Sequence, residues 1–216
     1  LLYLSTTDFV QHKWASGAPE ANTFYARLAR FIGELDAQDI LLGLTADLGM
    51  NAKTNADGSP KVQFIETILV QEGIAEARVI LPITDPYVVH HGALGSYATV
   101  YVEADHVEAA AAILRTVPGI EKILSRDEAA ATYQLPPDRI GELVVLADRD
   151  TVLGRTPGWP ALEDVAAGLR SHGGLHEGVV PMIFNRPLRD DYAARLASGQ
   201  ARNWYQFDFL CNGVAD

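Results

Sequence analysis

The sequence predicts an α/β fold with a largely parallel sheet, and the alternation of its hydrophobic segments is the main reason. Two short apolar runs, LLYLS (1–5) and ILLGLTAD (40–47), are typical of buried parallel strands. Between them, a segment that begins at Pro19 repeats apolar residues at helical spacing. We therefore expect helices that cover the faces of a sheet.

The first 76 residues are predicted to contribute two strands and two helices to this core. The strands are the two apolar runs just named. The first helix begins at Pro19 and directs Phe24, Leu28, Phe31 and Leu35 to one face. The second, over 63–73, is short and directs Phe64, Ile68 and Leu69 inward.

Residues 77–148 show a different order of elements, which predicts a compact α+β insertion. Its predicted strands are 77–83, 96–102, 120–124 and 142–148, and its predicted helices are 106–117 and 127–135. We expect a core formed by 1–76 with 149–216, and an insertion, or cap, formed by 77–148. A strand over 179–184 and an amphipathic helix over 203–210 complete the prediction for the core.

Composition excludes several classes of protein. The chain has 216 residues with 17 Lys and Arg against 28 Asp and Glu, a formal net charge of −11. That charge repels phosphate backbones, so a nucleic-acid partner is not expected. No apolar run approaches the roughly 20 residues of a membrane span, so no membrane partner is expected. Cys211 is the single cysteine, which excludes internal disulfides and favours a cytoplasmic location.

We expect no secretory signal at the start of the chain, because no basic segment and apolar stretch precede a cleavage site. Leu1 is not an initiator methionine. A domain seldom begins inside its own sheet, so we expect an N-terminal portion to precede this residue.

Three polar clusters lie where ligands bind in open α/β sheets, just past the ends of predicted strands or in loops. Asp8 and His12 are four residues apart, so a helical turn would place them on one side. Asp47 ends the strand over 40–47, and His172 precedes two glycines that let the backbone approach a site closely. Two histidines and a carboxylate form a recurrent catalytic zinc shell.

Each cluster also has a simpler interpretation. An aspartate after a strand is often a helix cap or a turn residue. An Asp and a His four apart are a weak metal motif when they stand alone. His172 beside Gly-Gly is also compatible with a solvated loop.

Taken in order, four motifs resemble the phosphonoacetate hydrolase family of the alkaline phosphatase superfamily, close to its nucleotide pyrophosphatase/phosphodiesterase branch. The motifs are TTDFVQHK (6–13), TADLGMNAK (45–53), ITDPYVVHHGALGSYATVYV (83–102) and LRSHGGLHEGVVPMIFNRP (169–187). The resemblance runs from end to end of the chain. It implies an alkaline-phosphatase-like, mostly parallel sheet flanked by helices, with a smaller α+β cap.

The resemblance also implies a site with two zinc ions that hydrolyses the carbon–phosphorus bond of phosphonoacetate to acetate and phosphate. Carried over by position, Asp8, His12 and His172 would bind the first zinc, and Asp47 would bind the second. The family has a histidine where this chain has Leu48, whose side chain offers no lone pair. The threonine nucleophile and the remaining aspartate are expected upstream of Leu1, so no catalytic nucleophile is assigned within this chain.

Further expectations concern the substrate and other histidines. His12 and His172 would lie near a small anionic phosphonate substrate. His90 and His91 would either reach this substrate from the insertion or pack where the two domains meet. His106 and His176 are interpreted as surface residues, and a homo-oligomer is a possible assembly.

Two hypotheses about function follow. In the first, the chain is part of a zinc-dependent phosphonoacetate hydrolase and is inactive by itself. In the alternative, it is a catalytically inactive metal- or ligand-binding domain, or part of a related phosphodiesterase or phosphatase. Leu48 favours the inactive domain, and the motifs favour the hydrolase.

Overall fold

The computed structural model of this chain describes residues 7–82, 94–157 and 168–215. The chain divides into two compact units, Leu1–Gly49 with Val179–Asp216 (unit 1) and Met50–Gly178 (unit 2). The predicted strand over 1–5 lies outside the described residues. The predicted cap, 77–148, forms part of unit 2, and its role as an insertion stays a prediction.

The described helices and strands alternate along the chain, as an α/β sequence predicts. The α-helices are Asp8–Lys13 (α1), Pro19–Asp36 (α2), Ile65–Gln71 (α3), Val107–Arg115 (α4), Arg126–Tyr133 (α5), Asp190–Ala197 (α6) and Gln206–Asn212 (α7). The strands are Gly43–Thr45 (β1), Asn51–Ala52 (β2), Val62–Phe64 (β3), Arg78–Ile80 (β4), Tyr97–Tyr101 (β5), Ile120–Ser125 (β6), Leu143–Ala147 (β7), Val152–Gly154 (β8), Arg170–Ser171 (β9) and Met182–Phe184 (β10). None of these helices combines the length and the apolar composition that crossing a bilayer requires.

In unit 1, β1 pairs antiparallel with β10, with Gly43 opposite Phe184. The predicted buried strand over 40–47 is therefore present, but it is shorter, partly exposed and, with β10, antiparallel. The strand has three residues, and Ile40 and Leu41 before it are 40% and 41% exposed. An apolar run indicates a strand, but its direction depends on a partner that lies far away in the sequence.

Helix α7 packs closely on this ribbon. A Cβ atom at Gly43 would lie 2.1 Å from Nε2 of Gln206, so a side chain at this position would require the Gln206 side chain to move. Phe209 of α7 is fully buried, and its ring stacks on Phe184 with centroids 5.6 Å apart. The ring of Tyr192 meets Phe209 edge-on at 5.0 Å. These three rings form a small aromatic core within unit 1.

Helix α2 confirms the predicted helix after Pro19 and corrects its apolar face. Phe24, Leu28 and Leu35 are partly buried, whereas Phe31 is 52% exposed. At 100° per residue, the buried Ala21 and the partly buried Ile32 extend this stripe on the side away from Phe31. Phe31 therefore lies at the edge of the covered face.

Unit 2 contains a four-stranded antiparallel sheet with the order β4-β5-β7-β6. Its main core lies between the sheet and helices α3 and α4, which contribute Leu69, Ala110 and Leu114. On the other face, Ala129 of α5 and Ile140 pack against Val144 of β7. Because helices or loops cover both faces, every residue of β7 is buried. The predicted strands and helices over 77–148 are confirmed where the structure describes them.

Two short ladders complete unit 2. β3 runs parallel to β8, and β2 runs antiparallel to β9 with Asn51 opposite Ser171. Gln63 and Phe64, predicted as the first two residues of the helix over 63–73, belong to β3 instead, and α3 begins at Ile65. Within the described residues, β3 with β8 is the single parallel ladder, so the largely parallel sheet is represented there by this pair. β8 is not predicted from the sequence, because the Gly/Pro-rich segment that begins within it resembles a loop.

Candidate metal centre

Helix α1 places Asp8 and His12 on one side, as their spacing predicts. Oδ1 of Asp8 and Nε2 of His12 are 3.7 Å apart. Donor atoms about 2.0–2.1 Å from a tetrahedral zinc ion are themselves about 3.3 Å apart, so this separation suits two ligands of one ion. The carboxylate is largely exposed and the imidazole is 7% exposed. The helix therefore holds the imidazole in place and leaves the carboxylate accessible.

The sequence explains why this short turn is helical. Asp8 lies in the first turn, where a negative charge is favourable, and Lys13 lies in the last turn, where a positive charge is favourable. The side chain of Gln11 also donates to Oγ1 of Thr7 at 3.1 Å. The ammonium of Lys13 lies 4.7 Å from the ring centroid of Phe9, on the exposed side of the helix, as expected for a solvated lysine.

The second predicted metal position lies after β1 in unit 1. Asp47 is exposed at a bend, and the side chain of the partly buried Leu48 follows it. Among residues 7–82, 94–157 and 168–215, Asp47 belongs to no group of three or more ligand-type side chains. Since Leu48 has no lone pair, these two residues do not provide a paired ligand set.

His172 lies in unit 2, directly after β9. Its carbonyl oxygen accepts a 2.8 Å hydrogen bond from the backbone N–H of Ser96. Gly173 has a φ of +94°, which favours glycine. A Cβ atom at Gly174 would lie 2.8 Å from Cβ of Ser96. The two glycines therefore let the backbone pass close to Ser96, the residue before β5, and the predicted close approach to a ligand stays a prediction.

A buried ion pair beside this loop was not predicted. The side chains of Lys53 and Glu177 are 0% and 1% exposed, and Nζ and Oε1 are 3.0 Å apart. Nζ also donates to the carbonyl oxygen of Arg149 at 2.7 Å. Burial lowers the pKa of Lys53, and its hydrogen bond with Glu177 opposes that change. No pattern in the sequence could have indicated this pair, because its members are 124 residues apart.

The remaining candidate histidines do not enlarge this site within the described residues. His90 and His91 lie outside the part of the chain that the structure describes. His106 pairs with Glu76, and His176 pairs with Glu121 at 2.6 Å. All four side chains of these pairs are about a third or more exposed, in line with the surface positions predicted for both histidines.

Comparisons with known proteins identify relatives. Residues 1–176 match the family described as type I phosphodiesterase / nucleotide pyrophosphatase. The crystal structure of phosphonoacetate hydrolase from Sinorhizobium meliloti 1021 in complex with phosphonoformate is 47% identical, with a TM-score of 0.78. The complex of that enzyme with phosphonoacetate is 46% identical, with a TM-score of 0.76. Each alignment covers 85% of this chain and 45% of the solved one, so this chain spans a little less than half the length of these relatives.

A more distant likeness concerns the fold alone. Murine ectonucleotide pyrophosphatase / phosphodiesterase 5 is 16% identical, with a TM-score of 0.57. The alignment covers 87% of this chain and 47% of the murine chain. The α/β architecture is therefore the one found in both groups of structures.

Proposed function

Because this chain belongs to the type I phosphodiesterase / nucleotide pyrophosphatase family, we propose that it is the metal-binding part of a hydrolase that acts on phosphonoacetate. The reaction breaks the carbon–phosphorus bond with water and yields acetate and phosphate. The observation that carries this proposal is the 47% identity to an enzyme crystallised with phosphonoformate, an identity that extends over 85% of the chain.

The proposed first metal ion is zinc, with Asp8, His12 and His172 as its protein ligands. The donor set supports this choice, since two imidazoles and a carboxylate leave a fourth position open for water or substrate. The 3.7 Å separation within α1 also supports it, because it matches two donors of one tetrahedral ion. The assignment of His172 to the same ion rests on the resemblance of its motif.

Charge gives the metal its role in the proposal. The net charge of the chain is −11 and the substrate is an anion, so the protein needs local positive charge to bind it. Zinc supplies charge that neutralises phosphoryl oxygens and lowers the pKa of an attacking hydroxyl group. Within this chain, one short helix carries the donor atoms of Asp8 and His12. The loop over 172–174, called the glycine loop, carries the backbone of His172. His12 and His172 are also the proposed contacts of the substrate.

The second metal position fits less well. Asp47 is the proposed ligand, and Leu48 stands where the resemblance expects a histidine. An isobutyl side chain cannot coordinate a metal, so a second zinc would have one ligand fewer here. This observation favours the other candidate function, a metal-binding domain that does not catalyse the reaction.

Release of phosphate from phosphonoacetate tests the two candidates. We expect residues 1–216 with added zinc to release phosphate at the background rate, and Leu48→His to bind more zinc per chain. Leu48→Ile is the matched control, because it keeps the volume and adds no lone pair. Leu48→His joined to the upstream segment of an intact relative should release phosphate if the chain is part of a hydrolase, and should stay at background if it is an inactive domain. Efficient turnover by the unchanged chain would show that Leu48 is compatible with catalysis and would exclude the inactive domain. Equal zinc stoichiometry in the histidine and isoleucine variants would contradict the proposed second position.

A further inference from the structure

The buried pair of Lys53 and Glu177 lies next to the loop that carries His172, and both residues belong to unit 2. Lys53 directly follows β2, and β2 pairs with β9, the strand that leads into His172. The backbone N–H of Lys53 donates to the carbonyl oxygen of Leu169 at 2.7 Å. Lys53 is therefore connected to the segment over 169–174, which carries His172, at the first residue of that segment.

The carboxylate of Glu177 connects to the same loop at its other end. Oε2 accepts the backbone N–H of Gly174 at 2.9 Å. Oε1 accepts a hydrogen bond from Nζ of Lys53 and another, at 2.6 Å, from the side-chain amide of Asn51. Gly174 lies two residues after His172. His172 itself is held by the backbone N–H of Ser96, which donates to its carbonyl oxygen.

A buried lysine and glutamate are rarely placed for stability alone, because the free energy of removing two charges from water offsets much of their attraction. Replacing such a pair by apolar side chains is often neutral or stabilising. Nζ of Lys53 also donates to the carbonyl oxygen of Arg149, and the other backbone groups that this pair contacts, at Leu169 and Gly174, lie on both sides of the proposed ligand.

We propose that Lys53 and Glu177 are positioning residues for His172, a role that rests on the proposed metal site. Lys53 holds the carboxylate in its orientation, and the carboxylate holds Gly174. The imidazole is thereby presented on a backbone whose conformation is already set before metal binds. Groups that orient a metal ligand in this way typically change metal affinity by about 10- to 100-fold.

Two double variants test this role while removing the charges equally. Lys53→Met with Glu177→Gln keeps an oxygen that can accept the N–H of Gly174. Lys53→Met with Glu177→Leu removes that acceptor. We expect both proteins to fold, and we expect the leucine variant to bind zinc at least about tenfold more weakly than the glutamine variant. Zinc affinity is measured by competition with a chromophoric chelator, and unfolding in urea is followed in parallel.

Glu142→Gln is the matched control. Glu142 lies in the same unit, pairs with Arg126 and accepts the backbone N–H of Val102, but it is not bonded to the loop. We expect it to change stability and to leave zinc affinity unchanged. Equal affinities of the two double variants would overturn the positioning role.

Two further variants cover the remaining outcomes. If the leucine variant does not fold, Asn51→Ala removes one donor to Glu177 without leaving a buried charge unpaired, and unchanged zinc affinity would then overturn the role. His172→Ala separates the two proposals. If His172→Ala leaves zinc affinity unchanged, the proposed metal site and the positioning role are both wrong. If His172→Ala lowers zinc affinity strongly while the two double variants have equal zinc affinities, only the positioning role is wrong.

Discussion

The backbone N–H of Ser96 donates to the carbonyl oxygen of His172, with 2.8 Å between nitrogen and oxygen. Ser96 is fully buried, and its hydroxyl donates to the carbonyl oxygen of Thr151 at 2.7 Å. Its own carbonyl oxygen accepts the N–H of Ala147. One residue thus connects the glycine loop to β7 and to the residue before β8.

Ser96→Ala separates the stability of this junction from its role at His172. The substitution leaves the carbonyl oxygen of Thr151 without the hydroxyl, and an unsatisfied buried acceptor costs about 1–3 kcal/mol of unfolding free energy. The main-chain bond to His172 remains, so zinc affinity is expected to stay unchanged. Urea unfolding and zinc titration measure the two quantities.

Ser59→Ala is the control for this variant, because Ser59 is exposed and its hydroxyl bonds to the exposed Asp57. We expect it to change the unfolding free energy by no more than about 0.5 kcal/mol. Equal stabilities of the two variants would contradict the importance assigned to the buried hydroxyl.

The histidines of the proposed metal site should differ from the surface histidines in their effect on zinc. His12→Ala and His172→Ala each remove one of three proposed protein ligands, so we expect zinc affinity to fall at least about tenfold. His106→Ala is the control, since His106 pairs with Glu76 and is not among the proposed ligands. A zinc affinity that does not distinguish these three variants would rule out the assigned ligands.

The pair of His106 and Glu76 predicts a pH-dependent contribution to stability. The hydrogen bond with Glu76 raises the pKa of His106 above 6.5, and the same bond lowers the pKa of Glu76 below 4.5. Stability from the raised histidine is complete below its ordinary pKa and is lost as pH rises through the folded-state value. Stability from the lowered glutamate is complete above its ordinary pKa and is lost as pH falls through the folded-state value.

The contribution of this pair is therefore largest between about pH 4.5 and 6.5. The difference in urea midpoint between the wild type and His106→Gln should be greatest in this window and should shrink as pH rises through the raised pKa of His106. Glu76→Gln should show the same profile. A difference that does not vary with pH would mean that the two side chains are not paired in solution.

The aromatic core of unit 1 makes a prediction about stability alone. Phe209 is fully buried against the rings of Phe184 and Tyr192, so Phe209→Ala should lower the unfolding free energy by about 3–5 kcal/mol. Phe31→Ala tests the corrected face of α2. Because Phe31 is 52% exposed, its loss should cost within about 0.5 kcal/mol. Comparable losses of unfolding free energy in Phe209→Ala and Phe31→Ala would contradict the difference in burial between these two side chains.

Local patterns in the sequence were enough to predict several elements and one part of the site. Asp8 and His12 are neighbours because four residues make about one helical turn, so their proximity needs no information from the rest of the chain. The helix after Pro19 was predicted for the same reason. The run over 142–148 predicted β7 because a fully buried strand is apolar along its whole length.

Pairing between distant segments could not be predicted from these patterns. The apolar run over 40–47 indicated a strand, and only the tertiary structure decided that β1 runs antiparallel to β10. The exposure of Phe31 depends on which side of α2 meets other elements, and helical periodicity alone leaves that side uncertain by about one residue position.

The sequence by itself determined the α/β class and the side-chain chemistry available at Asp8, His12, His172 and Leu48, since these depend on local periodicity and on residue identity. The tertiary structure decided that Lys53 and Glu177 form a buried pair and that Ser96 holds the carbonyl of His172. Those contacts join residues between 76 and 124 positions apart. Charge and hydrogen-bonding capacity can be read from a residue's identity, but the partner that satisfies them is chosen by the fold, because burial leaves each group only the neighbours that packing provides.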